Sequence, residues 1–197
     1  MAPDRAWVDL AVVTRELRAA AAVAGNAEAS ARVMAALRAA LDPEAEIVSA
    51  GYSLAPNYRY VQGEGQKLDG FIARNRLRVI LPDVNGAGPV IDAATVAGAS
   101  EIQQVSYGLA DDTPARQEAL AEATRNAVAR AGVMAGALDM KVHRVLSVED
   151  SGAAATPVVR EVQMLAKSAG GASVPTDLRP GGVRVRAQVT VYVEVGP

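Results

Sequence analysis

The chain has 197 residues, 50% of them hydrophobic and 21% charged, which is enough apolar material for a packed core and excludes an intrinsically disordered protein. Its 22 acidic and 20 basic residues leave a formal net charge of -2, so no overall electrostatic pull toward nucleic acid or anionic lipid is expected. With no cysteine and a single histidine, His143, the chain lacks the groups for thiol nucleophiles, disulfides, thiolate zinc sites or histidine clusters.

In chain order, Ala6, Val8, Leu10 and Val12 alternate with Trp7, Asp9 and Ala11, the pattern of a strand with one apolar face. The period then lengthens. Val33, Met34, Leu37 and Leu41 line one face of a helix over about 18–41, which Asp42-Pro43 stops; Gly25 falls in or near its start. Ile47 to Tyr60 reads as extended, with Pro56 suggesting an edge or a bulge, and 62–69 as a polar hairpin loop. Phe71, Ala73, Leu77, Val79 and Leu81 alternate in a third strand, broken only by Asn75, with Arg74, Arg76 and Arg78 on the opposite face. A helix over about 89–97 ends at Gly98, and a strand follows over 102–109. Thr113 as N-cap and Pro114 at the first helical position start a long helix to about Ala137. Val142 to Val148 is a strand, 151–182 a long connection, and Val183 to Val195 the cleanest alternation in the chain.

The first six elements follow the order β-α-β-β-α-β of a ferredoxin-like sheet with helices on one face, and an α-β-β extension is positioned to continue it. The expected class is therefore α+β with a mixed or antiparallel sheet. No composition break calls for a second domain, so 1–197 is read as one domain containing the connection 151–182. No apolar run reaches the roughly 20 residues of a membrane helix, and no signal peptide is visible at the N-terminus.

The inventory for chemistry is thin. His143 lies on the mixed face of its strand and reads as an exposed histidine, not as a general base. Asp111 and Asp112 precede a helix start, where negative charge complements the helix dipole, and no third oxygen ligand accompanies them. The glycines of 63–65 and 85–88 lack the spacing and the Lys-Ser/Thr of phosphate-binding loops, and no Gly-x-Ser-x-Gly occurs. RNA-recognition domains share the βαββαβ order, but Ala73 and Asn75 stand where stacking rings are wanted. The three arginines read instead as a solvated face balanced by acidic neighbours. No cofactor, metal site or nucleic-acid partner is expected. If the chain were an enzyme, Glu64, Asp69, Asp111 and Asp112 would be the first residues to test.

Pro3-Asp4-Arg5-Ala6 entering a strand, Ala50 to Tyr60 (AGYSLAPNYRY), Gly70 to Val79 (GFIARNRLRV), Ile91 to Ile102 and Val105 to Asp111 (VSYGLAD) occur in the order of the SIMPL-domain family, also called DUF541. With the Ala-rich helix and Pro180-Gly181 before a Val-rich final strand, the resemblance covers essentially the whole chain. Two departures stand out. The family usually has a further strand with a Gly-x-Gly pattern ahead of the Pro-Asp segment, and Asp139 stands where a glycine often ends the long helix.

The resemblance implies a protein without established catalytic residues. Bacterial members are mostly exported to the periplasm or cell envelope, some form ring- or channel-like homo-oligomers, and some are linked to oxidative-stress tolerance. A eukaryotic relative is a signalling adaptor, which gives the alternative of a cytoplasmic protein-binding module. The expectations are a non-enzymatic, exported homo-oligomer represented here by a trimmed chain. Sheet edges and the apolar residues Val158, Val159, Val162, Met164 and Leu165 of the connection are its candidate contacts.

Overall fold

The computed structural model describes residues 1–157, 176 and 178–197. Strand β1 (Arg5–Glu16) places Ala6, Val8, Leu10 and Val12 on one face, all of them buried. Helix α1 (Ala19–Ala40) carries Gly25 inside it and presents Val33 and Leu37 to that face. It ends where Asp42 turns the chain, the carboxylate accepting from the Glu44 N–H at 2.9 Å. Strands β2 (Glu46–Val61) and β3 (Gly65–Leu81) form a long hairpin. A single 3-10 turn (Val84–Gly86) then leads into α2 (Ala87–Val96), which adds Val90 and Ala94 to the core. Strand β4 (Glu101–Gly108) completes a four-stranded sheet of order β2-β3-β1-β4 with every neighbouring pair antiparallel. This is the strand order of the ferredoxin-like fold, with α1 and α2 packed on one side.

Asn75, the one break in the β3 pattern, has a physical reason. Asn26 of α1 is 1% exposed; its amide donates to the carbonyls of Val12 at 2.9 Å and Ala73 at 3.1 Å. Ser30 Oγ donates to Asn26 Oδ1 at 3.4 Å and itself accepts from the Asn75 amide at 3.0 Å. A polar chain therefore ties α1 to both central strands inside an otherwise apolar layer.

The chain separates into two compact units. The sheet just described belongs to one, with described residues of 3–108, 176 and 178–180. In the same unit Thr176 is fastened to α2, its hydroxyl donating to Asp92 Oδ1 at 2.7 Å, and Leu178 packs on the core. The approach is close: a Cβ on Gly88 would lie 2.3 Å from the Thr176 carbonyl oxygen.

The second unit contains residues 1–2 and the described parts of 109–157 and 181–197. Here α3 (Thr113–Gly136) packs on β5 (Lys141–Pro157) and β6 (Val183–Gly196). These elements extend the chain beyond the βαββαβ core but do not extend its sheet, since β5 and β6 pair with each other in a two-stranded sheet of their own. The eight-residue β4 is a poor template for a further strand: Gln103 is an extra residue between Ile102 and Gln104 in its pairing with β1.

Three local expectations are corrected. Asp112, not Thr113, is the residue flanking the start of α3, and Pro114 sits one position further in. Asp111 supplies the local bond, accepting from the Thr113 N–H at 2.9 Å. Strand β5 runs to Pro157, past the predicted end at Val148, so 151–157 belongs to the sheet and not to a loop. Strand β3 starts at Gly65, so most of the predicted 62–69 loop is paired strand. Asp139 meets the departure from the family pattern directly: its φ of 57° is the left-handed conformation in which a glycine ends helices without strain.

Candidate functional site

The feature that sets this surface apart is the edge strand β2. Residues opposite one another in an antiparallel ladder share a face, and Tyr52 faces Asn75 while Leu54 faces Ala73, on the helix side of the sheet. The period-2 geometry carries the same face onward through Pro56, Tyr58 and Tyr60. The register shift at Pro56/Tyr58 leaves the extra residue on β3, between Leu68 and Phe71, so it does not reverse β2. Helix α1 covers β1 and β3 and leaves this stripe bare. Tyr58 is 55% exposed, Tyr60 74% and Leu68, opposite Tyr58, 56%.

Beyond the Glu16–Phe71 pair, β1 no longer accompanies β3, and the hairpin projects alone to a turn at 62–64. Gly63 and Gly65 adopt positive φ there (83° and 78°), and the Glu64 N–H donates to the Val61 carbonyl at 3.0 Å. Gly70 is required for a different reason. A Cβ there would stand 2.5 Å from the Glu16 carbonyl oxygen. The projecting ribbon is two-sided: Tyr58, Tyr60 and Leu68 on one face, Arg59, Lys67 and Asp69 on the other, with Arg59 3.6 Å from Asp69 and Lys67 paired to Glu64.

The opposite face of the four-stranded sheet is polar and internally balanced. Arg78 forms a two-pronged pair with Asp9 at 2.7 and 2.9 Å, which raises the arginine pKa. Arg74 is paired with Glu101, and the Arg76 guanidinium passes 3.2 Å from where a Cβ on Gly51 would stand. Asp9 and Glu101 are the acidic neighbours expected from the sequence.

The acidic residues singled out as catalytic suspects do not converge. Glu64 and Asp69 are engaged in the two ion pairs of the hairpin. Asp111 and Asp112 belong to the other unit, where a hydrogen bond with the Thr113 side chain, then one from its backbone, hold the Asp111 pKa down. Asp112 pairs with Arg116 at 2.6 Å. His143 is exposed at a bulge of β5, against the backbone of Gly196. Among the described residues no three His, Asp or Glu side chains are grouped to hold a metal ion, and no helix is long and apolar enough to cross a membrane. Val158, Val159, Val162, Met164 and Leu165 lie outside the described residues.

A family model described as "SIMPL: Protein of unknown function (DUF541)" matches residues 1–193. The chain belongs to the SIMPL family. It is 25% identical over 154 residues to the 26 kDa periplasmic immunogenic protein of Brucella melitensis, covering 75% of this chain and 61% of that protein. To the uncharacterized protein YggE of Escherichia coli K12 it is 28% identical over 154 residues, covering 77% and 61%. The chain thus spans about three fifths of the length of these curated SIMPL relatives. A solved structure, AtUAH in complex with glyoxylate, aligns with 64% of this chain and 32% of its own at 12% identity and a TM-score of 0.31, too slight a likeness to bear on fold or function.

The segment AGYSLAPNYRY that most clearly carries the SIMPL resemblance is the exposed stripe of β2. Its alternation of Tyr, Leu, Pro, Tyr and Tyr is visible in the sequence; what the sequence does not reveal is that α1 stops short of covering it. The buried Asn26 gave no such signal, being one polar residue in an Ala-rich helix.

Proposed function

We propose that this SIMPL-family chain is a non-enzymatic protein of the cell envelope that assembles with copies of itself. The exposed stripe of Tyr52, Leu54, Tyr58, Tyr60 and Leu68 on a hairpin that projects past its own sheet carries the proposal. A contiguous apolar face of this kind on a charged ribbon is the form of an interaction arm. Envelope location is supported by the Brucella relative, which is named as a periplasmic protein. Absence of turnover is supported by the suspect carboxylates, each taken up in a local bond. Val158, Val159, Val162, Met164 and Leu165 remain proposed as further contacts on the strength of their sequence. A link to oxidative-stress tolerance rests on the family resemblance alone.

Light scattering after size-exclusion chromatography, at micromolar concentration, tests this. The intact chain is expected to run as a discrete oligomer, and a Tyr58→Ser/Tyr60→Ser/Leu68→Ser variant as a smaller particle with unchanged circular dichroism. A second variant with serine at all five proposed contacts of the connection separates their part from that of the hairpin. A monodisperse monomer for the unsubstituted chain refutes the assembly reading.

A further inference from the structure

An asparagine side chain can be attacked by the main-chain nitrogen of the residue that follows it. The bulk of that residue and the freedom of the backbone between the two decide whether this happens. The chain has five asparagines. Asn26, Asn57, Asn75 and Asn126 lie within α1, β2, β3 and α3, followed by Ala, Tyr, Arg and Ala. The regular backbone of these elements keeps the next nitrogen away from the side-chain carbon.

Asn85 differs on both counts. It precedes Gly86 and lies exposed in the single 3-10 turn Val84–Gly86 between β3 and α2. A turn this short has no extended ladder to hold it. The Gly86 N–H donates to the Asp83 carbonyl at 3.2 Å, a long bond. A Cβ on Gly86 would meet the Leu81 methyls at 3.7 and 3.9 Å and no backbone atom, so the attacking nitrogen is not crowded. The Asn85 side chain is also folded back along the turn. Its amide donates to Asp83 Oδ1 at 2.9 Å, the same oxygen that accepts from the Asn85 main-chain N–H at 2.9 Å.

We propose that Asn85-Gly86 is a site of spontaneous covalent modification, through attack of the Gly86 nitrogen on Asn85 Cγ to close a cyclic imide. The N–Cγ bond forms, the Cγ–Nδ2 bond breaks, and ammonia leaves with the proton of the Gly86 nitrogen. Solvent water then opens the imide. Cleavage of the new N–Cγ bond gives aspartate on an ordinary main chain. Cleavage of the original peptide bond gives isoaspartate, with the main chain running through Cγ. Either product sets a carboxylate in place of the amide donor beside Asp83 Oδ1, so that bond is lost. The isoaspartyl form also inserts one methylene into the chain directly ahead of α2, whose Ala87, Val90 and Ala94 are in the core. The reaction is intramolecular and does not depend on self-assembly through the β2 hairpin.

The test keeps the full chain folded in mildly alkaline buffer at physiological temperature for several weeks, then reads a tryptic digest by mass spectrometry. Cleavage after Arg78 and Arg116 isolates Asn85 from every other asparagine. The expected result is conversion of amide to acid in this peptide ahead of those carrying Asn26, Asn57, Asn75 and Asn126. It should appear as two isomers, one of them labelled by a protein isoaspartyl methyltransferase. Gly86→Ala suits the φ of −70° and makes ordinary contacts with Leu81, and it should remove nearly all of the product. Three results would overturn the proposal. One is an Asn85 peptide that stays unconverted in the folded chain, with a urea-unfolded sample as the positive control. Another is equally fast conversion at the other asparagines. The third is absence of the methyltransferase-labelled isomer, or a product undiminished in Gly86→Ala, either of which assigns the change to direct hydrolysis of the side chain.

Discussion

Replacing Asn26 with leucine tests whether the polar chain under the sheet holds this unit together or only fills space. Leucine has the branching and heavy-atom count of the asparagine side chain and is somewhat bulkier, so no cavity is created, but both donated bonds are lost, to Val12 O at 2.9 Å and Ala73 O at 3.1 Å. Ser30 Oγ also loses its acceptor. At about 1 kcal/mol per lost bond the cost is roughly 2–3 kcal/mol, a fall in melting temperature of about 4–12 °C for a chain of this length. Asn26→Ala adds a small hole and should cost about 1 kcal/mol more. Trp7 is the only tryptophan and lies on β1, the strand that supplies the Val12 acceptor, so its fluorescence during urea or thermal unfolding reports this unit specifically. An Asn26→Asp variant gives a signed control. Burial raises the folded pKa of its carboxyl, so this group's contribution to stability is fully present below the unfolded value of about 3.9 and is lost as pH rises through the folded value. If Asn26→Leu melts within about 1 °C of the unsubstituted protein, the hydrogen-bond reasoning is wrong and the residue matters only for its size.

Gly25 lies inside α1 with open space around its Cα, so Gly25→Ala should gain about 0.5–1 kcal/mol in denaturant unfolding, whereas Gly70→Ala, with φ at 106° and the Glu16 carbonyl in the way, should lose more than about 1 kcal/mol. Asp139→Gly should stabilise the α3 unit by roughly 1 kcal/mol, read as a later urea midpoint by circular dichroism, because glycine removes the left-handed strain at φ 57°. The Tyr107 hydroxyl is buried without a partner among the described residues, and burial raises its pKa. Tyr107→Phe should therefore unfold at equal or higher urea at pH 7. It should also lose less stability as pH rises above about 10, where the unfolded tyrosine ionises first. Asp111→Asn should flatten the acid limb of the α3 unit's stability. The lowered Asp111 pKa gives the native protein stability above about pH 3.9 that disappears as pH falls through the folded value.

Much of the fold was legible because a buried face enforces its period. Ala6 to Val12 and Ala73 to Leu81 each pack on helices, and both strands and their core sides follow from alternation alone. The hairpin tip reads as a loop in the sequence because Gln66 to Asp69 is solvated on both faces, so no apolar alternation marks it as strand. Strand β5 outruns its visible pattern for a related reason: its bulges shift the alternation at His143, Leu146 and again after Asp150. The β2 stripe shows the converse limit. Its Tyr and Leu residues alternate as a buried face would, yet exposure depends on where α1 ends across the sheet, which no local pattern encodes. Asn26 was invisible because its partners are main-chain carbonyls on two other elements, 14 and 47 residues away.

The pairing of Met1 with Val183 has a consequence for the order in which the protein is made. All four strands of the larger sheet lie between Arg5 and Gly108, so that sheet can close while the second half of the chain is still being translated. The other unit cannot. Its second strand begins at Val183, and one of its edge positions is held by Met1, whose ammonium donates to the Val183 carbonyl at 3.0 Å across a separation of 182 residues. A product truncated before Val183 would therefore carry a finished four-stranded sheet together with a helix and a strand that lack their β6 partner.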